Sequence, residues 1–138
     1  DANTLLNALK SHEIDMLARG TGLQWPSYAD YASDPANGVT AIRVNSFQFN
    51  HLDFNLKNPI LGQLPVRQAI AYATNRAEII AAVYHGSEYT AETDQPKGLS
   101  WAYTDDIAHY PYDPAKAEAV LDAAGWKVGP DGIRVKNG

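Results

Sequence analysis

The fifteen residues Tyr112–Trp126, YDPAKAEAVLDAAGW, constrain the fold of this chain more than any other stretch. Asp113 is suited to cap a helix, because its carboxylate can accept from the free N–H groups of a first turn. Pro114 follows at the first helical position, where its missing N–H costs nothing. Ala117, Val120, Leu121 and Ala124 then fall at i, i+3, i+4 and i+7 and form one apolar stripe. Gly125 sits where a left-handed residue ends a helix, and Trp126 is placed to pack back on Leu121. Glu118 and Asp122 mark the wet face. The stretch predicts a short amphipathic helix docked on a core, with Leu121→Ala costing roughly 2–5 kcal/mol as a core deletion.

The same reasoning places two further helices, Pro65–Ala73 and Arg76–His85, with Asn75 as cap of the second and Gly86 as its stop. Thr4–Lys10 reads as a short helix and Ile14–Leu17 as a short buried strand. Residues 19–38, rich in Gly, Pro, Asp and Ser, read as loop. Thr40–Leu56 is β-rich. Its apolar parity switches twice, so a bulge or two strands are expected there. Residues 87–112 form a long irregular stretch carrying several aromatics, a length that usually binds or covers something. Trp126 and Val128 are expected to face Ile133 and Val135 across a Gly129–Gly132 hairpin turn.

Composition narrows the function classes. The chain has 138 residues, with 45% hydrophobic and 20% charged, which describes an ordinary globular protein of one domain. The net charge is −5 and the 11 Lys and Arg residues are scattered, so no nucleic-acid partner is expected. No apolar run approaches the roughly 20 residues that span a bilayer. The chain starts at Asp1 without Met, and is read as a mature fragment or excised domain in which an export signal would be invisible.

No residue pattern nominates a catalyst, a cofactor or a metal. The four histidines lack zinc-ligand spacing and there is no Cys to join them. His51 and Asp53 share one face of a strand and read as a surface or hydrogen-bonded pair. Asp105 and Asp106 read as a cap or a solvated turn, and Arg67 as snorkelling or paired with a carboxylate. Trp101 and Tyr103 are candidates for stacking on a ligand, the alternative being that they cover a core edge. Asp15 is a candidate near a hinge, the alternative being a cap or an ion pair.

Taken together, FNHLDFNLKNPILGQLPVRQAIAYATNRAEIIAAVYHG, YDPAKAEAVLDAAGW and the GPDGI hairpin resemble the family 5 extracytoplasmic solute-binding proteins of ABC importers. The opening NTLLNALKSHEIDML resembles that family's helix-then-strand segment. Three positions depart from its pattern. Asn75 stands where Asp is usual, Gln63-Leu64-Pro65 where an Asp precedes V-R-Q-A, and His12 where Gly is preferred.

The resemblance implies an α/β (mixed α+β) lobe fragment of a two-lobed periplasmic-binding-protein-like fold, with short helices on a small mixed sheet. Residues 1–138 are then a single domain, part of one lobe of a larger protein that closes around its solute. It implies capture of a solute, foremost a peptide, outside the membrane and delivery to ABC permease subunits, by a monomer that is periplasmic or lipid-anchored and not an enzyme. A nickel chelate or an oligosaccharide are the alternative solutes. A solute-sensing module of a transcriptional regulator is the alternative from another class, and a hydrolase using Asp105 or His109 is a remote third.

Overall fold

A computed structural model describes residues 2–17, 38–40 and 47–136. The chain divides into two compact units, Asp1–Asn45 and Ser46–Gly138.

In the first unit, helix α1 runs Ala2–Lys10 and buries Leu9. Its end is closed by two backbone bonds, His12 N–H to Leu9 O at 3.2 Å and Glu13 N–H to Ala8 O at 2.9 Å. That pair of bonds requires a left-handed residue between them, and His12 supplies it at φ +58°. A Gly at this position would relieve the strain of that conformation. The strand expected at Ile14–Leu17 does not form. Ile14 N–H also turns back to Ala8 O, at 3.4 Å, so the backbone wraps the helix end instead of extending, and Met16 is 73% exposed. The loop read at 19–38 lies outside the described residues except Gly38, and the 41–46 part of the β-rich stretch lies wholly outside them.

The second unit is built on helices α2 (Leu64–Ala73), α3 (Arg76–Tyr84) and α4 (Pro114–Ala123), followed by strands β1 (Lys127–Val128) and β2 (Arg134–Val135). Helices α2 and α4 pack on each other, and Val66 and Ala69 of α2 and Ala117 of α4 are buried. Asp113 N–H donates to Tyr72 O at 2.8 Å and ties the start of α4 to the end of α2. The Tyr72 and Tyr110 rings meet edge to face at 5.3 Å, and Gln68 Nε2 donates to the Tyr110 hydroxyl at 3.3 Å.

Helix α4 is the element the opening stretch predicts. Asp113 accepts from Lys116 N–H at 2.9 Å with Pro114 next to it. Gly125 at φ +87° donates to Asp122 O and Trp126 N–H donates to Leu121 O, at 3.1 and 2.9 Å. Leu121 itself is only half-buried; Ala117 is the stripe residue that is closed off. Asn75 caps α3 by accepting from Glu78 N–H at 3.2 Å. The stop of α3 begins one residue earlier than expected, because His85 already adopts φ +50° before Gly86 at +73°.

Gln63 precedes α2 without capping it. Its carboxamide instead joins distant segments. Nε2 donates to Pro59 O at 2.8 Å, while Oε1 accepts from Trp126 Nε1 at 3.4 Å and Lys136 Nζ at 3.1 Å. Among the described residues Arg67 pairs with no carboxylate; its Nη1 donates to Leu61 O and Gly62 O at 3.0 and 2.9 Å.

Residues 47–56 carry no strand. Their alternation satisfies a strand locally, but a strand exists only if another segment accepts its backbone bonds. Here the chain passes into turns instead, with Asn58 Oδ1 accepting from Ile60 and Leu61 N–H at 2.9 and 3.0 Å. Leu52 is left 70% exposed. The hairpin forms on its predicted turn, with Gly132 N–H bonded to Gly129 O at 3.0 Å. Its register pairs Lys127 with Val135 and Val128 with Arg134, so Val128 lies opposite a charge rather than Val135.

Candidate functional site

Trp101 and Tyr103 lie on a fastened turn within the long irregular segment. Leu99 N–H donates to Pro96 O at 2.9 Å, and Leu99 O then accepts from both Ala102 N–H and Tyr103 N–H, at 2.9 and 2.8 Å. This arrangement holds Trp101 at the crest, 84% exposed, so its indole covers no core edge among the described residues. Tyr103 is half-buried, and the Lys97 ammonium stands 5.7 Å from its ring centroid, within cation–π reach. At the foot of the turn the Phe47 ring comes so near Gly98 that a Cβ there would be 3.3 Å from Phe47 Cε1. The turn thus presents an exposed indole, able to stack on a planar or apolar group.

Asp15 is exposed, in the bend that follows α1. It belongs to the first unit, whereas Trp101 and Tyr103 belong to the second.

His51 Nε2 and Asp53 Oδ2 form the surface pair read from the sequence, at 3.2 Å, although no strand carries them. The Phe49 ring lies 5.0 Å from the His51 ring, and Asn50 Nδ2 donates to the Tyr84 hydroxyl at 2.6 Å. Asp105 and Asp106 are exposed, with Asp106 N–H bonded to Thr104 Oγ1 at 3.1 Å, which makes the pair a solvated turn. Among the described residues no three His, Cys, Asp or Glu side chains gather as metal ligands. A shallow depression of about 390 Å³ on α3, lined by Thr74, Asn75, Glu78, Ile79, Ala82 and Val83, takes in none of the three candidates.

Two polar clusters escaped sequence reasoning. Arg76, at the start of α3, donates to Tyr110 O at 2.9 Å and meets Glu92 Oε1 at 3.4 Å, fixing both ends of the aromatic segment. Arg134 on β2 reaches Asp122 Oδ1 at 2.6 Å and Trp126 O at 2.8 Å. The hydrogen bond from Arg134 holds the Asp122 carboxyl below its ordinary value, with the Arg134 and Lys127 charges acting in the same direction. These partners lie between 8 and 34 residues apart, which no helical or strand period signals. No helix among the described residues is long and apolar enough to cross a membrane.

Residues 1–137 match the family described as bacterial extracellular solute-binding proteins, family 5, middle part. The dipeptide-binding protein of Escherichia coli (strain K12) is 34% identical over 130 residues, covering 94% of this chain and 23% of that protein. The structure of NikA from Brucella suis in complex with Fe(III)-EDTA superposes with TM-score 0.69 at 26% identity, covering the whole of this chain and 28% of NikA. The oligopeptide-binding protein AppA from Bacillus subtilis, in complex with a nonapeptide, gives TM-score 0.58 at 28% identity, with 100% and 27% covered. The chain thus spans about a quarter of the length of the proteins it matches. With the family pattern matched from end to end and the fold shared over the full length, this chain belongs to family 5 of the bacterial extracellular solute-binding proteins.

Proposed function

We propose that the chain is part of the solute-binding component of an ABC-type importer, which captures peptides outside the cell membrane and delivers them to permease subunits. The observation that carries this reading is the family match over residues 1–137; likeness to a dipeptide-binding and an oligopeptide-binding protein favours peptides as the solute. Capture is non-covalent, and the protein acts as a monomer with no catalytic step. It works in the periplasm or from a lipid anchor at the outer face of the membrane. Residues 1–138 form one domain within one lobe, and the lobes close on solute because the closed state binds it more tightly.

Trp101 and Tyr103 contact the solute from the aromatic turn, Trp101 by stacking and Tyr103 by its exposed edge. Asp15 is a separate proposed contact, as a carboxylate for a peptide's amino group or a backbone N–H. A second reading, a metal chelate as solute, is favoured by the likeness to NikA.

Titration calorimetry of the full-length protein with di-, tri- and oligopeptides and with nickel–histidine tests the reading. Peptides are expected to bind, and Trp101→Ala to weaken them about tenfold or more, in line with roughly 1–3 kcal/mol for a stacking aromatic. Binding of the metal chelate alone would replace the peptide reading, and binding of neither would end both. The 138-residue chain by itself is expected to bind peptides weakly or not at all. Micromolar affinity of the isolated chain would refute the clamp on which that expectation rests.

A further inference from the structure

His109 stands between two acceptors. Its Nε2 lies 3.2 Å from Asp105 O, and its Nδ1 lies 3.7 Å from Glu92 Oε2. A carbonyl only accepts, so Nε2 must carry the proton when that bond is made. The neutral ring then turns a lone pair from Nδ1 towards a carboxylate, and only the imidazolium offers an N–H to both neighbours at once. The other carboxylate oxygen of Glu92 meets Arg76 at 3.4 Å, and Arg76 in turn holds Tyr110 O. The chain of contacts thus joins the start of α3 to residues 92, 105 and 109–110, which bracket the turn bearing Trp101.

We propose that His109 is a protonation-dependent latch on this irregular segment: gain of a proton at Nδ1 closes the Glu92–His109–Asp105 bridge and fastens the segment to itself and, through Arg76, to α3.

The charged groups around His109 set the sign. Glu92 attracts the imidazolium at short range, and the exposed carboxylates Asp105 and Asp106 on the same stretch favour it too. Arg76 from α3 opposes it, but its charge is engaged by Glu92 and by Tyr110 O. Helix α2 meets the stretch through Gln68 and Tyr72 at Tyr110, which bear no charge near neutral pH. Fastening therefore increases on acidification, as the imidazolium forms.

Hydrogen exchange of the protein at pH 7.5 and pH 5.5, corrected for intrinsic exchange, tests the latch. Protection over residues 104–110 is expected to rise about twofold to fivefold on acidification, the range set by a half-exposed ion pair. His109→Gln and Glu92→Gln, both surface changes that keep a polar side chain, are each expected to abolish the rise. Their thermal midpoints at pH 7.5 report that the fold is intact. Unchanged or reduced protection in the parent protein overturns the latch, as does a rise that survives in either variant.

Discussion

Arg134 Nη1 lies 2.6 Å from Asp122 Oδ1, so one guanidinium on β2 fastens the terminal hairpin to the last turn of α4. The same nitrogen donates to Trp126 O at 2.8 Å, across the junction between helix and hairpin. A two-residue ladder has little stability of its own, and this side chain anchors it to a helix.

The anchor has a predictable acid limit. Because Arg134 holds the folded Asp122 carboxyl below its ordinary value, the contribution is complete above the unfolded value and is lost as pH falls through the lower folded one. Chemical-shift titration should show Asp122 protonating below the ordinary range of an aspartate. Arg134→Gln should move that midpoint upwards and loosen Lys127–Val135 in hydrogen exchange. An unmoved midpoint would mean that the pair does not persist in solution.

At the end of α1, His12 holds a left-handed conformation at φ +58°. Relief of that strain is worth about 1–2 kcal/mol, set against about 0.5–1 kcal/mol for the greater freedom of an unfolded glycine. His12→Gly should therefore stabilise the protein by about 0.5–1 kcal/mol, read as a higher urea midpoint, while His12→Val should lower it. A lower midpoint for the glycine variant would place the worth of His12 in its side chain.

Gly62 is required for a different reason. A Cβ there would meet Leu56 O at 2.6 Å and Asn58 O at 2.9 Å, both backbone atoms that a rotamer change cannot move. Gly62→Ala should cost about 1–3 kcal/mol and release the Arg67 bonds to Leu61 O and Gly62 O. Equal denaturation midpoints for the two proteins would show that the loop yields freely.

On the α4 side of the α2–α4 face, the buried position is Ala117 rather than Leu121. Ala117→Leu should destabilise by about 1–3 kcal/mol through overpacking. Leu121→Ala should cost about 1–2 kcal/mol, less than full burial would give, because part of its side chain is in water in the folded state. Chemical denaturation that ranks Leu121→Ala well above Ala117→Leu would reverse the assignment of the core.

The sequence by itself determined the three helices of the second unit, the caps of α3 and α4, and the hairpin turn. Asp113 and Asn75 cap, Pro114 starts and Gly125 stops by contacts within about five residues, so local chemistry sufficed. The family was legible for a similar reason, since VRQAIAYA and YDPAKAEAVLDAAGW are themselves such local elements. Only the tertiary structure decided the rest. Residues 47–56 alternate like a strand but find no ladder among the described residues, because alternation cannot supply the neighbour that a strand needs. It left Trp101 on the crest of a fastened turn, open to solvent, where its aromatic character alone allowed either a ligand or a core edge. Arg76 with Glu92 and Tyr110, and Arg134 with Asp122, join residues whose separation follows no helical or strand period, and only the folded path of the backbone brings their charges together.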